Sequence, residues 1–164
     1  MKNENCIQIA KISEIIFMGK QHIDWDSVEK YALKYLDDVY IIAYDGEQIY
    51  IDRKFVDEFT SSIDTKRLRG ASAKAKANAI QIVKELLEIS NNPRHIPNYE
   101  EKHAYDAKFG WYRYDSRFSI PIYENKRIIR YNVFKVTMLI RHSGDGKKYL
   151  YDMVNIKKET EYTA

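Results

Sequence analysis

The 164 residues carry 27 basic and 24 acidic side chains, and a formal net charge of +3 is far below that of a protein that coats DNA. The single cysteine, Cys6, excludes an internal disulfide, and no Cys/His spacing resembles a zinc site. The length predicts one domain over 1–164. The single thiol, together with the lack of a signal-peptide or membrane-span pattern, favours the cytoplasm.

The N-terminal third predicts a helix followed by a hairpin. Residues 1–18 fit either an amphipathic helix or a pair of strands. A helix is expected over 28–36, with Asp26 or Ser27 as its N-cap. Asp45-Gly46 then lies between two β-rich runs, and this dipeptide is typical of a tight hairpin whose two turn residues both have positive φ.

The middle of the chain predicts one long helix and a loop. A short helix is expected over 54–61. Alanines and aliphatic residues then recur at three- and four-residue steps from about 70 to 90, which indicates a helix with one buried face. Residues 91–110 are polar and predict a connection that contains His95 and His103.

The last third predicts a three-stranded antiparallel meander over 112–158, with turns at 124–127 and 143–146. Residues 157–164 resemble a frayed tail. The predicted fold class is therefore α+β, with helices packed on one face of an antiparallel meander and a hairpin near the N-terminus.

One face of this meander is predicted to be polar, because side chains alternate between the two faces of a strand. The predicted polar positions are Arg113, Asp115, Arg117, Ser119, Tyr131, Lys135, Thr137, Arg141, Tyr149, Tyr151, Met153 and Asn155. Such a surface suits phosphate or nucleic-acid chemistry, and the pattern alone does not decide between them.

The chemistry that fits this surface is cleavage of RNA without a metal ion. The sequence has no phosphate-binding loop, metal-binding motif or nucleophile elbow, so no cofactor is predicted. RNA cleavage needs an acid, a base and fixed positive charge. The predicted catalytic residues are His103, Arg117, Thr137 and Tyr151, and the predicted nucleic-acid contacts are Arg113, Lys135, Arg141, Tyr131 and Tyr149. Tyr151 would stack a base, or donate a proton if its pKa is lowered.

Each assignment has a plainer alternative. Arg113, Asp115 and Arg117 also fit a solvated ladder of ion pairs. Thr137 is favoured in any strand, and His103 also fits an exposed position on a helical turn.

Several segments of the chain form a distinctive sequence pattern: Glu101-Lys102-His103, Gly110-Trp111-Tyr112-Arg113-Tyr114, Arg130-Tyr131-Asn132-Val133-Phe134, Tyr149-Leu150-Tyr151-Asp152 and the run 68–79. With these segments the chain resembles domains of large polyvalent proteins from phages and conjugative elements of gut Firmicutes. The resemblance implies a protein of a phage or mobile element that acts in a bacterial host cell.

Such domains are in turn similar to the barnase–EndoU–colicin–RelE (BECR) nuclease-like fold. This similarity implies N-terminal helices on an antiparallel sheet, with His103, Arg117, Thr137 and Tyr151 in the catalytic positions. It implies RNA as the partner. The alternatives are a non-enzymatic inhibitor of a host defence nucleoprotein, of the anti-CRISPR type, and a structural accessory module. Exposed tyrosines and strand edges also permit a dimer.

Overall fold

The computed structural model describes residues 7–19 and 22–164, so Cys6 and the start of the ambiguous first segment lie outside it. Helices cover one face of a β-sheet, and both layers contribute to the core. The elements are β1 (Ala10–Lys11), α1 (Trp25–Ala32), β2 (Val39–Ile41), β3 (Gln48–Tyr50), α2 (Arg53–Ser61), α3 (Ile63–Arg67), α4 (Gly70–Ala79), α5 (Val83–Glu88), β4 (Asn91–Ile96), β5 (Trp111–Glu124), β6 (Arg127–His142) and β7 (Lys148–Thr163).

The α+β class is confirmed, but the sheet is mixed rather than purely antiparallel. Strands β5, β6 and β7 form the predicted antiparallel meander. β1 pairs with β5 in parallel, and β3 pairs with β7 in parallel. The order is β1-β5-β6-β7-β3-β2, with β4 also on β5, so the N-terminal hairpin extends the far edge of the meander.

The hairpin is present where predicted, but its turn has a different geometry. Of the two predicted turn residues, only Gly46 has a positive φ. The Gly46 N–H donates to the Ile42 carbonyl oxygen at 2.8 Å, and this hydrogen bond closes a wider loop than a two-residue turn. Asp45 instead accepts from the Glu47 N–H and from the Tyr114 hydroxyl at 2.7 Å. The acid therefore attaches the hairpin to β5.

The helices follow the predicted periodicity with corrections at their ends. α1 begins at Trp25, so its N-cap is Asp24 rather than Asp26 or Ser27. The predicted 70–90 helix is interrupted by a 3-10 turn at Ile80–Ile82, which leaves α4 and α5 as separate segments. Ile80 and Ile82 are both buried at the interruption, although a regular helix would place them on nearly opposite faces. Among these helices of the described residues, none has the length and apolarity needed to cross a bilayer.

Two segments predicted to lack regular structure are strands. Residues 91–96 form β4, which pairs with β5 and has every side chain exposed. Residues 157–163 continue β7 and pair with the start of β6, so the predicted frayed tail is wrong. Both are polar because solvent reaches both of their faces, and such edge strands lack the apolar alternation that identifies a half-buried strand.

The core lies between the helices and one face of the meander. Its largest fully buried side chains include Phe55, Phe59, Leu86, Phe118 and Tyr114. The side chains that alternate with these along β5 and β6 point to the opposite side of the sheet, which we call the open face.

The β5–β6 turn offers a test of local backbone strain. Asn125 and Lys126 both have positive φ, at 50° and 65°, between the paired residues Glu124 and Arg127. Glycine adopts this conformation without a Cβ clash. We expect Lys126→Gly to raise the free energy of unfolding by about 0.5 kcal/mol in urea titration. Arg127→Gly, one residue further on in a strand, should lower it by a similar amount, and a decrease with both variants would contradict the turn geometry.

Candidate active site

The open face carries the polar side chains of the meander, in the register that alternation predicts. Arg117 of β5 lies opposite Lys135 of β6, and Asp115 lies opposite Thr137. Ser119 and Met153 are the exceptions. Ser119 is fully buried, and a register shift in β7 turns Met153 into the core beside Met138.

A cleft of about 460 Å³ opens at one end of the open face. Its outer wall is the segment 97–109, which we call the strap, and its floor is the sheet. The lining side chains that bear on chemistry are Glu58, Tyr99, Glu100, Lys102, His103, Trp111, Arg113 and Tyr151. The cleft thus brings together the predicted catalytic residues His103 and Tyr151 with the predicted contact residue Arg113.

His103 is fixed in the cleft by an aromatic pair and a carboxylate. It ends a 3-10 turn in the strap, and its ring centroid lies 5.1 Å from that of Trp111 and 5.6 Å from that of Tyr151. Its Nδ1 lies 3.0 Å from Asp106 Oδ1. The residue is buried, which differs from the exposed helical position considered as an alternative.

The charge state of Asp106 decides which imidazole nitrogen of His103 carries the proton. Burial alone would raise the pKa of the Asp106 carboxyl, but hydrogen bonds from Lys54 and His103 bring that pKa below its ordinary value. An ionised carboxylate only accepts, so Nδ1 of His103 carries a proton and donates to it. Nε2 is then the nitrogen available for proton transfer, and it lies 3.5 Å from Glu100 Oε2.

Tyr151 does not have the lowered pKa that proton donation would require. Burial, and then the neighbouring Glu58 carboxylate, raise the pKa of its phenol well above the ordinary value. The phenol therefore stays neutral at physiological pH and acts as a hydrogen-bond donor or an aromatic wall rather than as a general acid.

Among the described residues, Arg113 and Lys102 are the two cations that line the cleft, and Arg113 comes from its floor. Within residues 7–19 and 22–164, no side chain forms an ion pair with its guanidinium. Asp115, its neighbour on the open face, pairs instead with Arg94 at 2.9 Å. The ion-pair ladder considered as an alternative for Arg113, Asp115 and Arg117 therefore does not form, and the Arg113 guanidinium is available for a ligand.

The remaining predicted catalytic residues lie outside the cleft. Arg117 is four residues from Arg113, or about 13 Å along the strand. It forms two hydrogen bonds to Glu159, at 2.9 and 3.2 Å. Thr137 is half-buried between Asp115 and Val154 in the sheet register. Arg117, Thr137 and Tyr151 thus belong to the meander and His103 to the strap, and only His103 and Tyr151 line the cleft.

Two predicted nucleic-acid contacts are used inside the protein. Arg141 is 3% exposed and binds the Asp52 carboxylate and the Asp106 carbonyl oxygen. Its guanidinium lies over the Tyr149 ring, and the Tyr149 hydroxyl donates to Asp145 at 2.6 Å. Arg141 and Tyr149 are therefore left out of the candidate site, because Arg141 is buried with both terminal guanidinium nitrogens bound inside the protein, and the Tyr149 hydroxyl is bound to Asp145.

Three further residues of the candidate site have only weak signals in the sequence. Asp106 lies three residues after His103, a spacing that brings two side chains together on a helical turn. Trp111 begins β5, where it packs on His103. Glu58 comes from α2, about 45 residues upstream of His103, and only the tertiary fold brings it to the cleft.

Comparison with known proteins adds no family assignment, since no family model, curated protein or solved structure matches this chain. The described residues contain no group of three or more His, Cys, Asp or Glu side chains arranged to hold a metal ion. The candidate site therefore rests on its own geometry.

Proposed function

We propose that this is a nucleic-acid-directed protein of a phage or mobile element, and that its cleft cleaves single-stranded RNA without a metal ion. The observation that carries the proposal is the His103–Asp106 pair at 3.0 Å, with Nε2 facing a cleft that also holds the Arg113 guanidinium. The resemblance to BECR-like domains agrees with this proposal but carries less weight than the geometry.

The cleft residues supply the groups that the reaction needs. A base takes the proton of the 2′-hydroxyl, the 2′-oxygen attacks phosphorus, and the bond from phosphorus to the 5′-oxygen breaks. His103 reacts in its doubly protonated form: Nε2 gives its proton to the leaving 5′-oxygen, and the ring is left neutral with the proton on Nδ1 that Asp106 holds. Either Glu58 or Glu100 is the base, since both carboxylates line the cleft. Arg113 and Lys102 stabilise the negative charge that builds on the non-bridging oxygens.

Cleavage of a labelled single-stranded RNA in excess EDTA tests the proposal. We expect cleavage by the native protein and a fall of at least about 100-fold with His103→Gln, because proton transfer by a positioned side chain contributes that much. Asp106→Asn should also reduce the rate, since it weakens the acceptor that holds the ring. Cleavage that stops in EDTA, or that persists in His103→Gln, would refute the assigned site.

Matched variants separate chemistry from folding. His22→Gln changes an exposed histidine outside the cleft and should cleave at the native rate. Circular dichroism and thermal unfolding should show that His103→Gln remains folded. Glu58→Gln and Glu100→Gln, measured in parallel, identify the base as the one whose replacement has the larger effect on the maximal rate.

A second candidate function has one observation in its favour. Large apolar side chains are exposed along the strap and at the end of β4 beside it, with Tyr99 85%, Tyr105 65%, Phe109 47% and Ile96 46% exposed. Such a patch is typical of a protein-binding surface. The alternative proposal is a non-enzymatic inhibitor of a host defence nucleoprotein, of the anti-CRISPR type. It predicts stable co-purification with a CRISPR effector, failure of that complex to form with Tyr99→Ala, and no RNA turnover.

A further inference from the structure

Three cations lie in direct register across the open face. Arg117, Lys135 and Lys157 occupy adjacent positions on β5, β6 and β7, and we call this row the cation rung. Like charges directly opposite each other on a sheet are destabilising, so the row is unfavourable without an anion. Glu159 pairs with Arg117. Within the described residues, Lys135 and Lys157 have no ion-pair partner.

The acidic groups near the rung compensate it only in part. Glu159 is held by Arg117, which lowers the pKa of its carboxyl, and Lys135 contributes to the same effect. Asp115 lies one step along the open face and is bound by Asn92 and Arg94. Lys135 also contributes to the lowered pKa of the Asp115 carboxyl. Counting Asp115 together with its partner Arg94, two carboxylates face four cations in and beside the row, and a net positive charge is left for a ligand.

An aromatic pair follows the rung at the end of the open face away from the cleft. Tyr131 and Tyr162 are directly opposite each other, and their rings stack with centroids 5.1 Å apart. Lys11 Nζ lies 5.2 Å from the Tyr131 ring centroid. Tyr162 is exposed, so its outer surface can accept another planar ring.

The cleft, the rung and the tyrosine pair lie in one line along β5. The rung is four residues beyond Arg113, and Pro121, which faces Tyr131, is four residues beyond Arg117. Each step is about 13 Å along the strand. Cations that follow a backbone, with an aromatic surface on which bases stack, are the two elements by which proteins bind single-stranded nucleic acid.

We infer that the open face binds single-stranded RNA as a track that leads away from the cleft. The cation rung holds backbone phosphates, and the Tyr131–Tyr162 pair stacks an unpaired base. The inference rests on the proposed function for the position of the reacting bond, but binding along the track is measurable without cleavage. Duplex nucleic acid does not fit, because its paired bases are not available for stacking.

Fluorescence anisotropy with oligouridylates of about 3 and about 9 nucleotides tests the track, since single-strand sites of this kind take roughly 4–16 nucleotides. The protein is the His103→Gln variant, so that no substrate is consumed. We expect the longer RNA to bind at least tenfold more tightly. Lys135→Gln/Lys157→Gln should weaken binding of the longer RNA about tenfold. It should also reduce the slope of log K against log salt by about 1.4, or about 0.7 for each phosphate that is no longer neutralised.

Controls and outcomes keep the inference separate from the proposed function. Lys30→Gln/Lys66→Gln removes two exposed helix lysines and should leave binding unchanged, as should Tyr44→Ala. Tyr162→Ala should weaken only the longer RNA, by about tenfold. Length-dependent binding without any cleavage by the native protein would support the track and refute the proposed chemistry. Equal affinity for both lengths, no effect of the rung variants, or equally tight binding of duplex DNA would overturn the track.

Discussion

Lys76→Met should lower the free energy of unfolding by about 3–5 kcal/mol, because it leaves a buried carboxylate without its cation. Lys76 on α4 and Asp152 on β7 form an ion pair of 3.1 Å, and both side chains are almost fully buried. The Lys76 ammonium also donates to Thr65 Oγ1 at 2.8 Å. The destabilisation is measured as the shift of the midpoint in chemical unfolding at neutral pH.

The destabilisation should depend on pH, because Asp152 can become neutral by taking a proton. Burial raises the pKa of the Asp152 carboxyl to about 6, and Lys76 limits that rise. Without Lys76 the folded-state pKa is higher still, so the folded variant binds a proton more tightly than the unfolded chain does. The stability of Lys76→Met therefore falls as pH rises from the unfolded-state pKa of Asp152 to its higher folded-state pKa. The loss of stability relative to the native protein should be smaller at about pH 5 than at about pH 8.

A double variant separates the effect of the charge pair from that of packing. Lys76→Met/Asp152→Asn removes both charges and keeps an oxygen that can accept from the Met153 N–H, as Asp152 does at 2.7 Å. We expect it to recover at least half of the stability that Lys76→Met removes. A deficit that is equal in both variants and constant with pH would contradict the role given to the ion pair.

Arg141→Met should cost about 3 kcal/mol of stability and also abolish activity at the cleft. Arg141 joins three elements, since it binds Asp52 at the start of α2 and the Asp106 carbonyl oxygen in the strap while it lies on β6. Its replacement leaves Asp52 unpaired and releases the backbone that carries Asp106. Thermal unfolding gives the stability, and hydrogen exchange at the strap amides reports the release.

Arg130→Met is the matched control for this prediction. Arg130 lies on the same strand, but its pair with Glu161 is exposed, and such pairs contribute at most about 1 kcal/mol. The control should retain native exchange in the strap. If Arg141→Met kept the same protection, the guanidinium would not be the group that fixes the strap.

The elements that the sequence predicted well are those with a strong local pattern. The hairpin at Asp45-Gly46, the short helix now seen as Arg53–Ser61 and the meander all have apolar periodicity with clear turn residues. Strand β4 and the end of β7 were missed because solvent surrounds them and no apolar alternation remains. The parallel pairing of β3 with β7 leaves no local signal at all.

The candidate site was predicted in part, for a related reason. Alternation placed Arg113, Lys135 and Thr137 correctly on one face, since that property depends only on position along a strand. It did not distinguish Arg141, which follows the same alternation but lies beneath the strap. Register shifts in β7 also moved Met153 into the core, and alternation alone does not reveal where such shifts occur.

The parallel contact between β3 and β7 has a consequence for how the chain reaches its native state. Tyr50 pairs with Tyr149, so a loop of about 100 residues must close before this contact forms. Until then the early hairpin has an unpaired edge and no partner for its buried Ile49. Folding should therefore be slow for a chain of this size. Until β7 pairs with it, the hairpin β2–β3 is the part of the chain most prone to intermolecular aggregation.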